Sequence, residues 1–197
     1  AAFGAGHGIP LEADERLGEC RYGARPGRRL AELAKEPLWR TVQDHPSAAR
    51  FPDGEGDTAG MPGESIAAMQ ARAVACVREI DVAVEAEHGP RAVWLAISHG
   101  DVIKAVLADA AGLHLDLFQR LVVDPASTSV VRYTDRRPFV VRVNDTGGGL
   151  GGVVPPAPPS DAGAANGEGA DGVGGTPGLD AGDAAVGGGA GAATGSG

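Results

Sequence analysis

The sequence predicts an α/β domain, a mostly parallel central sheet with helices on both faces, followed by a tail of different composition. Three observations carry that prediction. A continuous apolar run, Val93–Ile97, lies between two helical patterns, and a run without polar alternation is typical of a strand covered on both faces. Ile66, Met69, Ala73, Val77, Ile80 and Val84 recur at the three-to-four spacing of one buried helix stripe. After Asn144-Asp145 all periodicity stops: 19 of the 32 glycines fall in residues 147–197, which hold no Lys, Arg, Trp, Phe or Tyr. The expected organisation is therefore a domain over 1–146 and a Gly/Ala/Pro-rich tail over 147–197. The tail cannot bury enough apolar surface to offset its chain entropy and is expected to be disordered.

The elements follow in order. Ile9 and Leu11 alternate with polar neighbours, which fits a short extended segment; Asp14–Glu19 then leads to a loop at Tyr22-Gly23. Pro26 suits the first turn of a short helix carrying Leu30, Leu33 and Ala34, and Pro37 ends it because it lacks an N–H. Leu38–Gln43 predicts a further helical turn before Pro46, and residues 51–63 read as a loop on composition. Ser65 is the expected N-cap of the long helix and Gly89-Pro90 its stop. Val102, Ile103, Val106, Leu107 and Ala110 predict a second helix ended by Gly112, and His114–Leu121 a short one. Ser127–Tyr133 and Phe139–Val143 predict a closing antiparallel pair around Asp135–Pro138.

Charge and cysteine usage exclude several functions. The tail carries five acidic residues and no basic ones, leaving 17 basic against 21 acidic residues over 1–146. No basic face is concentrated enough for nucleic acid, which binds by counterion release. Arg25, Arg28 and Arg29 form a short cluster that fits either an ordinary surface patch or an anion-binding edge. Cys20 and Cys76 make no CxxC, so a reducing, cytoplasmic setting is expected. No apolar run reaches the roughly 18 residues of a membrane span, and the start shows neither a basic n-region nor a sustained apolar core.

Ser98-His99-Gly100-Asp101 is the most informative stretch. An apolar run ends, a histidine follows, and a helix begins, which is where open α/β sheets bind ligands. A helix N-terminus suits a phosphate, Gly100 permits close approach, and His99 can donate to a phosphoryl oxygen. Taken alone, His99 equally fits a satisfied residue at a strand end. Glu19 can act as a proton donor if burial raises its pKa; taken alone, it better fits a solvated loop carboxylate. His99 with Asp101 falls short of a metal site, because two candidate ligands are too few.

Taken together, the segments resemble the histidine phosphatase family, which includes the cofactor-dependent phosphoglycerate mutases. Arg16–Gly23 is similar to the family's "R-L-x-E-x-x-Y/L-G", Gly63-Glu64-Ser65 to its "G-E-S" before a long helix, and Val93–Lys104 to its second-histidine motif, "S-H-G-x-x-I/L-R/K". The resemblance covers about residues 5–146. It implies phosphoryl transfer from a small-molecule phosphate ester through a phosphohistidine, with no metal or organic cofactor. By position it implies His99 contacting the phosphoryl group, Glu19 as acid and then base, Tyr22 near the substrate, and Ser98 and Gly100 shaping the phosphate pocket.

The departures carry expectations of their own. No Arg-His-Gly, the family's nucleophile motif, occurs in the sequence, and His7 in Gly6-His7-Gly8 does not align with it. The resemblance thus implies a domain incomplete at its N-terminal end, without the nucleophile strand and without the phosphate-binding Arg that follows the second strand. Cys20 stands where mutases carry Arg, which argues against mutase activity, and Ala24–Gly27 replaces a stretch that usually bears an aromatic. The chain as given is expected to be catalytically incomplete and marginally stable, because a missing central strand leaves backbone groups unpaired. A different class of function, a non-catalytic module that binds a phosphate ligand, stays open at this point.

Overall fold

The computed structural model describes residues 11–147. The predictions for Ile9, His7 and the tail lie outside these residues. The described part is α/β. The described residues hold four α-helices: α1, Leu30–Leu33; α2, Pro37–Asp44; α3, Ile66–His88; and α4, Gly100–Ala111. Two strands, β1 (Thr128–Arg132) and β2 (Phe139–Asp145), pair antiparallel.

The helix boundaries follow local chemistry. Ser65 caps α3 by accepting the Ala68 amide at 3.1 Å, and Gly89 ends it. Pro37 both terminates the turn before it and opens α2 at its first position, where a missing N–H costs nothing. Gly112 closes α4 in the left-handed conformation, its amide bonded back into the last turn. The segment predicted as a short helix after it is a 3-10 helix, Leu115–Arg120.

α3 and α4 pack on each other and bury Met69, Ala73, Val102, Ala105 and Ala108. Small residues at the crossing let the two backbones approach. Phe118 and Leu115 from the 3-10 helix, with Val42, Ala49, Phe51 and Cys20, complete the same buried cluster.

The apolar run Val93–Ile97 departs from its prediction. Among the described residues the only strand pairing within a sheet is β1 with β2, and no strand lies against this run. Val93, Leu95 and Ile97 are 93%, 66% and 72% exposed. An uninterrupted apolar run encodes burial on two faces, but burial requires neighbours, and the described residues supply none. The run is anchored at its ends instead: Trp94 Nε1 donates to Asp81 of α3 at 3.1 Å, and Ser98 Oγ to the Leu17 carbonyl at 2.7 Å. Among the described residues the α/β fold consists of its helices and one antiparallel strand pair.

Candidate active site

Two loops and one helix start build the site. Residues 14–23 run past the N-terminal end of α4. Asp14 caps a 3-10 turn, Glu15–Leu17, by accepting the Arg16 amide at 2.8 Å. Beyond it, Tyr22 and Gly63 form an isolated antiparallel bridge, and the Ala24 amide donates to the Pro52 carbonyl. This junction requires glycine. Gly23 has a φ of +54°, and a Cβ there would lie 1.9 Å from the Pro52 oxygen; a Cβ on Gly63 would lie 2.2 Å from the Phe51 oxygen.

His99 occupies the N-cap position of α4 in extended backbone and makes no side-chain cap bond, so its ring is free to face outward. It is about half exposed. Its Nδ1 lies 3.8 Å from Glu19 Oε2. Glu19 is largely buried: Oε1 accepts the Cys20 amide at 2.9 Å, while Oε2 is buried with no hydrogen-bond partner. The two residues singled out in separate motifs, 80 positions apart, are neighbours in space.

The other expected site residues are placed as follows. Tyr22 packs edge-on against Phe51, ring centroids 5.0 Å apart, and its hydroxyl donates to Asp101 Oδ2 at 2.9 Å. Ser98 spends its hydroxyl on the Leu17 carbonyl. Gly100 opens α4, and a Cβ there would meet open space. Arg25 and Arg28 share Glu36, and Arg29 pairs with Glu32, so every arginine of the basic cluster is paired with a carboxylate.

Two further residues take part: Asp101, which the sequence reading named only in the Ser98–Asp101 stretch and as a rejected metal ligand, and Arg72, which it missed. Asp101 is a buried carboxyl in the first turn of α4. Arg72 projects from α3 beside the buried positions Met69, Ala73 and Cys76 and pairs with Glu64. The available signal was a charged residue flanking an apolar helix stripe, two turns beyond an acidic residue at the helix start.

The electrostatics are those of buried carboxyls. Burial pushes the Glu19 pKa up; the Cys20 amide opposes this, the Asp101 charge adds to it, and His99 and Arg72 oppose it more weakly. Asp101 is also raised by burial, against the pull of the Tyr22 hydroxyl and of Lys104. Burial and the nearby acids push the Tyr22 phenol and the Cys20 thiol well above their ordinary values, so both stay protonated at neutral pH. For acids raised in the folded state, the stabilising contribution is fully present below the ordinary carboxyl range and is lost as pH rises through the folded-state values. Asp101→Asn is expected to lower the Glu19 midpoint, since it removes a like charge while its amide oxygen still accepts the Tyr22 hydroxyl. A carboxyl 13C titration reads this directly; an unmoved Glu19 midpoint would remove Asp101 from the site's electrostatics.

Among the described residues no three His, Cys, Asp or Glu side chains converge as metal ligands do. No helix there is long and apolar enough to cross a membrane.

The family model of the histidine phosphatase superfamily, branch 1, matches residues 1–146. The chain belongs to that superfamily. The solved structures it resembles show the same fold at low identity. YhfR from Bacillus stearothermophilus superposes with a TM-score of 0.57 at 22% identity, covering 72% of this chain and 65% of that one. The mycobacterial glucosyl-3-phosphoglycerate phosphatase, solved with inorganic phosphate, gives 0.53 at 22% identity over 72% and 68%. The α-ribazole phosphatase from Shigella flexneri gives 0.52 at 17% identity over 72% and 64%. The chain thus spans about two thirds of the length of these relatives. No curated protein sequence matches it.

Proposed function

We propose that residues 1–146 form the acid/base and phosphate-contacting part of a histidine-type phosphomonoesterase. The observation that carries this reading is the 3.8 Å approach of His99 Nδ1 to the unpartnered, buried Oε2 of Glu19. Burial raises the Glu19 pKa, so the carboxyl holds its proton to higher pH than an ordinary glutamate and is suited to deliver it to a leaving oxygen.

In the proposed reaction, a histidine nitrogen attacks phosphorus as the ester P–O bond breaks. Glu19 gives its proton to the departing alkoxide, and His99 donates a hydrogen bond to a phosphoryl oxygen. Water then attacks the phosphohistidine, Glu19 takes the water proton, and the P–N bond breaks to release phosphate. Ser98, Gly100 and Tyr22 shape the pocket: Ser98 and Tyr22 through their bonds to Leu17 and Asp101, Gly100 by leaving the helix entrance open. The substrate class is a small-molecule phosphate monoester. Cys20, buried and protonated, is unsuited to replace the arginine of the mutases, so hydrolysis is favoured over mutase chemistry.

Inorganic phosphate tests the site without requiring turnover. In proton NMR, the His99 ring resonances are expected to shift saturably as phosphate is added, while those of His45, His88 and His114 stay still. Equal or absent responses from all four would end this reading. A second reading, a phosphate-ligand binding module without catalysis, is favoured by the absence of Arg-His-Gly from the sequence; it predicts the same His99 response and no hydrolysis even when this chain is fused behind the Arg-His-Gly segment of a relative.

A further inference from the structure

Glu19 sits in a segment that has no regular structure beyond the 3-10 turn Glu15–Leu17, yet that segment is held almost completely by side chains from elsewhere. Arg72 of α3 does most of this. Its Nη1 donates to the carbonyls of Arg16 at 2.6 Å and Gly18 at 2.9 Å. Its Nη2 donates to the Glu19 carbonyl at 2.9 Å and to Glu64 Oε1 at 2.6 Å, and its Nε to Glu64 Oε2 at 3.1 Å. Five bonds use the five donors a guanidinium has. Ser98 takes the remaining carbonyl of the stretch, Leu17. Glu64 fixes the far side by accepting the Arg21 amide at 2.9 Å, while its own amide donates to the Arg21 carbonyl. Every carbonyl from Arg16 to Glu19 is therefore occupied, and both Arg72 and Glu64 are largely buried.

We propose that Arg72, locked by Glu64, is the positioning residue that aims the Glu19 carboxyl at His99. Arg72 reaches no reacting atom; it acts on the backbone that carries the acid. A planar fork with five donors can span three carbonyls and a carboxylate, and an ammonium with three donors on a flexible stem cannot. The inference rests on the reading of Glu19 as the proton donor.

The titration of Glu19 separates this role from a purely electrostatic one. The groups acting on Glu19 are Asp101 and His99 from α4, Arg72 from α3, and its loop neighbours Cys20 and Tyr22. As a nearby positive charge, Arg72 lowers the Glu19 pKa, so Arg72→Ala acting through charge alone raises the midpoint, and Arg72→Lys leaves it in place. As a clamp, Arg72 keeps Glu19 buried, so both variants release the carboxyl to water and the midpoint falls to the ordinary glutamate range. Asp101 is held by α4 and by Tyr22, so its raised titration is expected to persist and reports that the fold is intact.

The experiment is a carboxyl 13C titration of the wild-type chain, Arg72→Lys and Arg72→Ala. A falling Glu19 midpoint in both variants with Asp101 unchanged is the expected result; a rise in Arg72→Ala, or no change in Arg72→Lys, overturns the clamp. If neither variant folds, amide exchange in the wild-type chain decides: the Arg21 amide is expected to exchange only through global unfolding, and exchange through a local opening overturns the proposal. No phosphate is present in these measurements. Failure of His99 to respond to phosphate therefore ends the functional reading alone, and an unclamped Glu19 ends this inference alone.

Discussion

The 197-residue chain is expected to release nitrophenolate from p-nitrophenyl phosphate roughly a million-fold more slowly than an intact family member, the scale of loss seen when a covalent nucleophile is deleted. That ratio corresponds to about 8 kcal/mol of barrier. The reasoning concerns which imidazoles are available. His45 and His114 both lie beside Asp116, at 3.9 and 3.3 Å, and His88 lies beside Glu87 on the last turn of α3. Among the described residues, His99 is the histidine next to a buried carboxyl, and one imidazole cannot both bond to phosphorus and stabilise the oxygens of the same phosphoryl group. Positioning and charge stabilisation remain, but neither supplies the atom that attacks. The assay is run at mildly acidic and neutral pH with purified protein. Turnover within tenfold of an intact relative would show that an imidazole of this chain serves as nucleophile. Isolation of a phosphorylated His99 would then identify it and move His99 from phosphate contact to attack.

The parts of this site differ in how legible they were in the sequence. Helix ends were readable because their signals are local: Ser65, Gly89 and Gly112 act within one turn of where they stand. The pairing of Glu19 with His99 became readable only through ordered motifs, since no local rule brings positions 80 residues apart together. Arg72 left only a faint trace, a charged residue two turns beyond Glu64 beside an apolar stripe, because its other three partners are backbone carbonyls, which every residue has. The exposed face of Val93–Ile97 shows the same limit from the other side. Its composition states what the run can bury, while the neighbours that do the burying are set by tertiary structure.

The largest stability effect is expected at Phe118. Its side chain is fully buried, as are Met69, Ala73, Val102, Ala105 and Ala108 in the same cluster. Three of those neighbours are alanines on helix backbones that cross closely, so the surroundings have few flexible side chains with which to fill a void. Phe118→Ala is therefore expected near the upper part of the 3–5 kcal/mol typical of such truncations, about 4 kcal/mol or more. Ordinary domains have roughly 5–15 kcal/mol in all, so this one change consumes much of the total. In urea the midpoint is expected to fall sharply with the slope retained. If Phe118→Ala does not fold, Phe118→Leu should show a smaller loss of the same kind. A shift below about 1 kcal/mol for the alanine variant would mean that the 3-10 helix Leu115–Arg120 is replaceable.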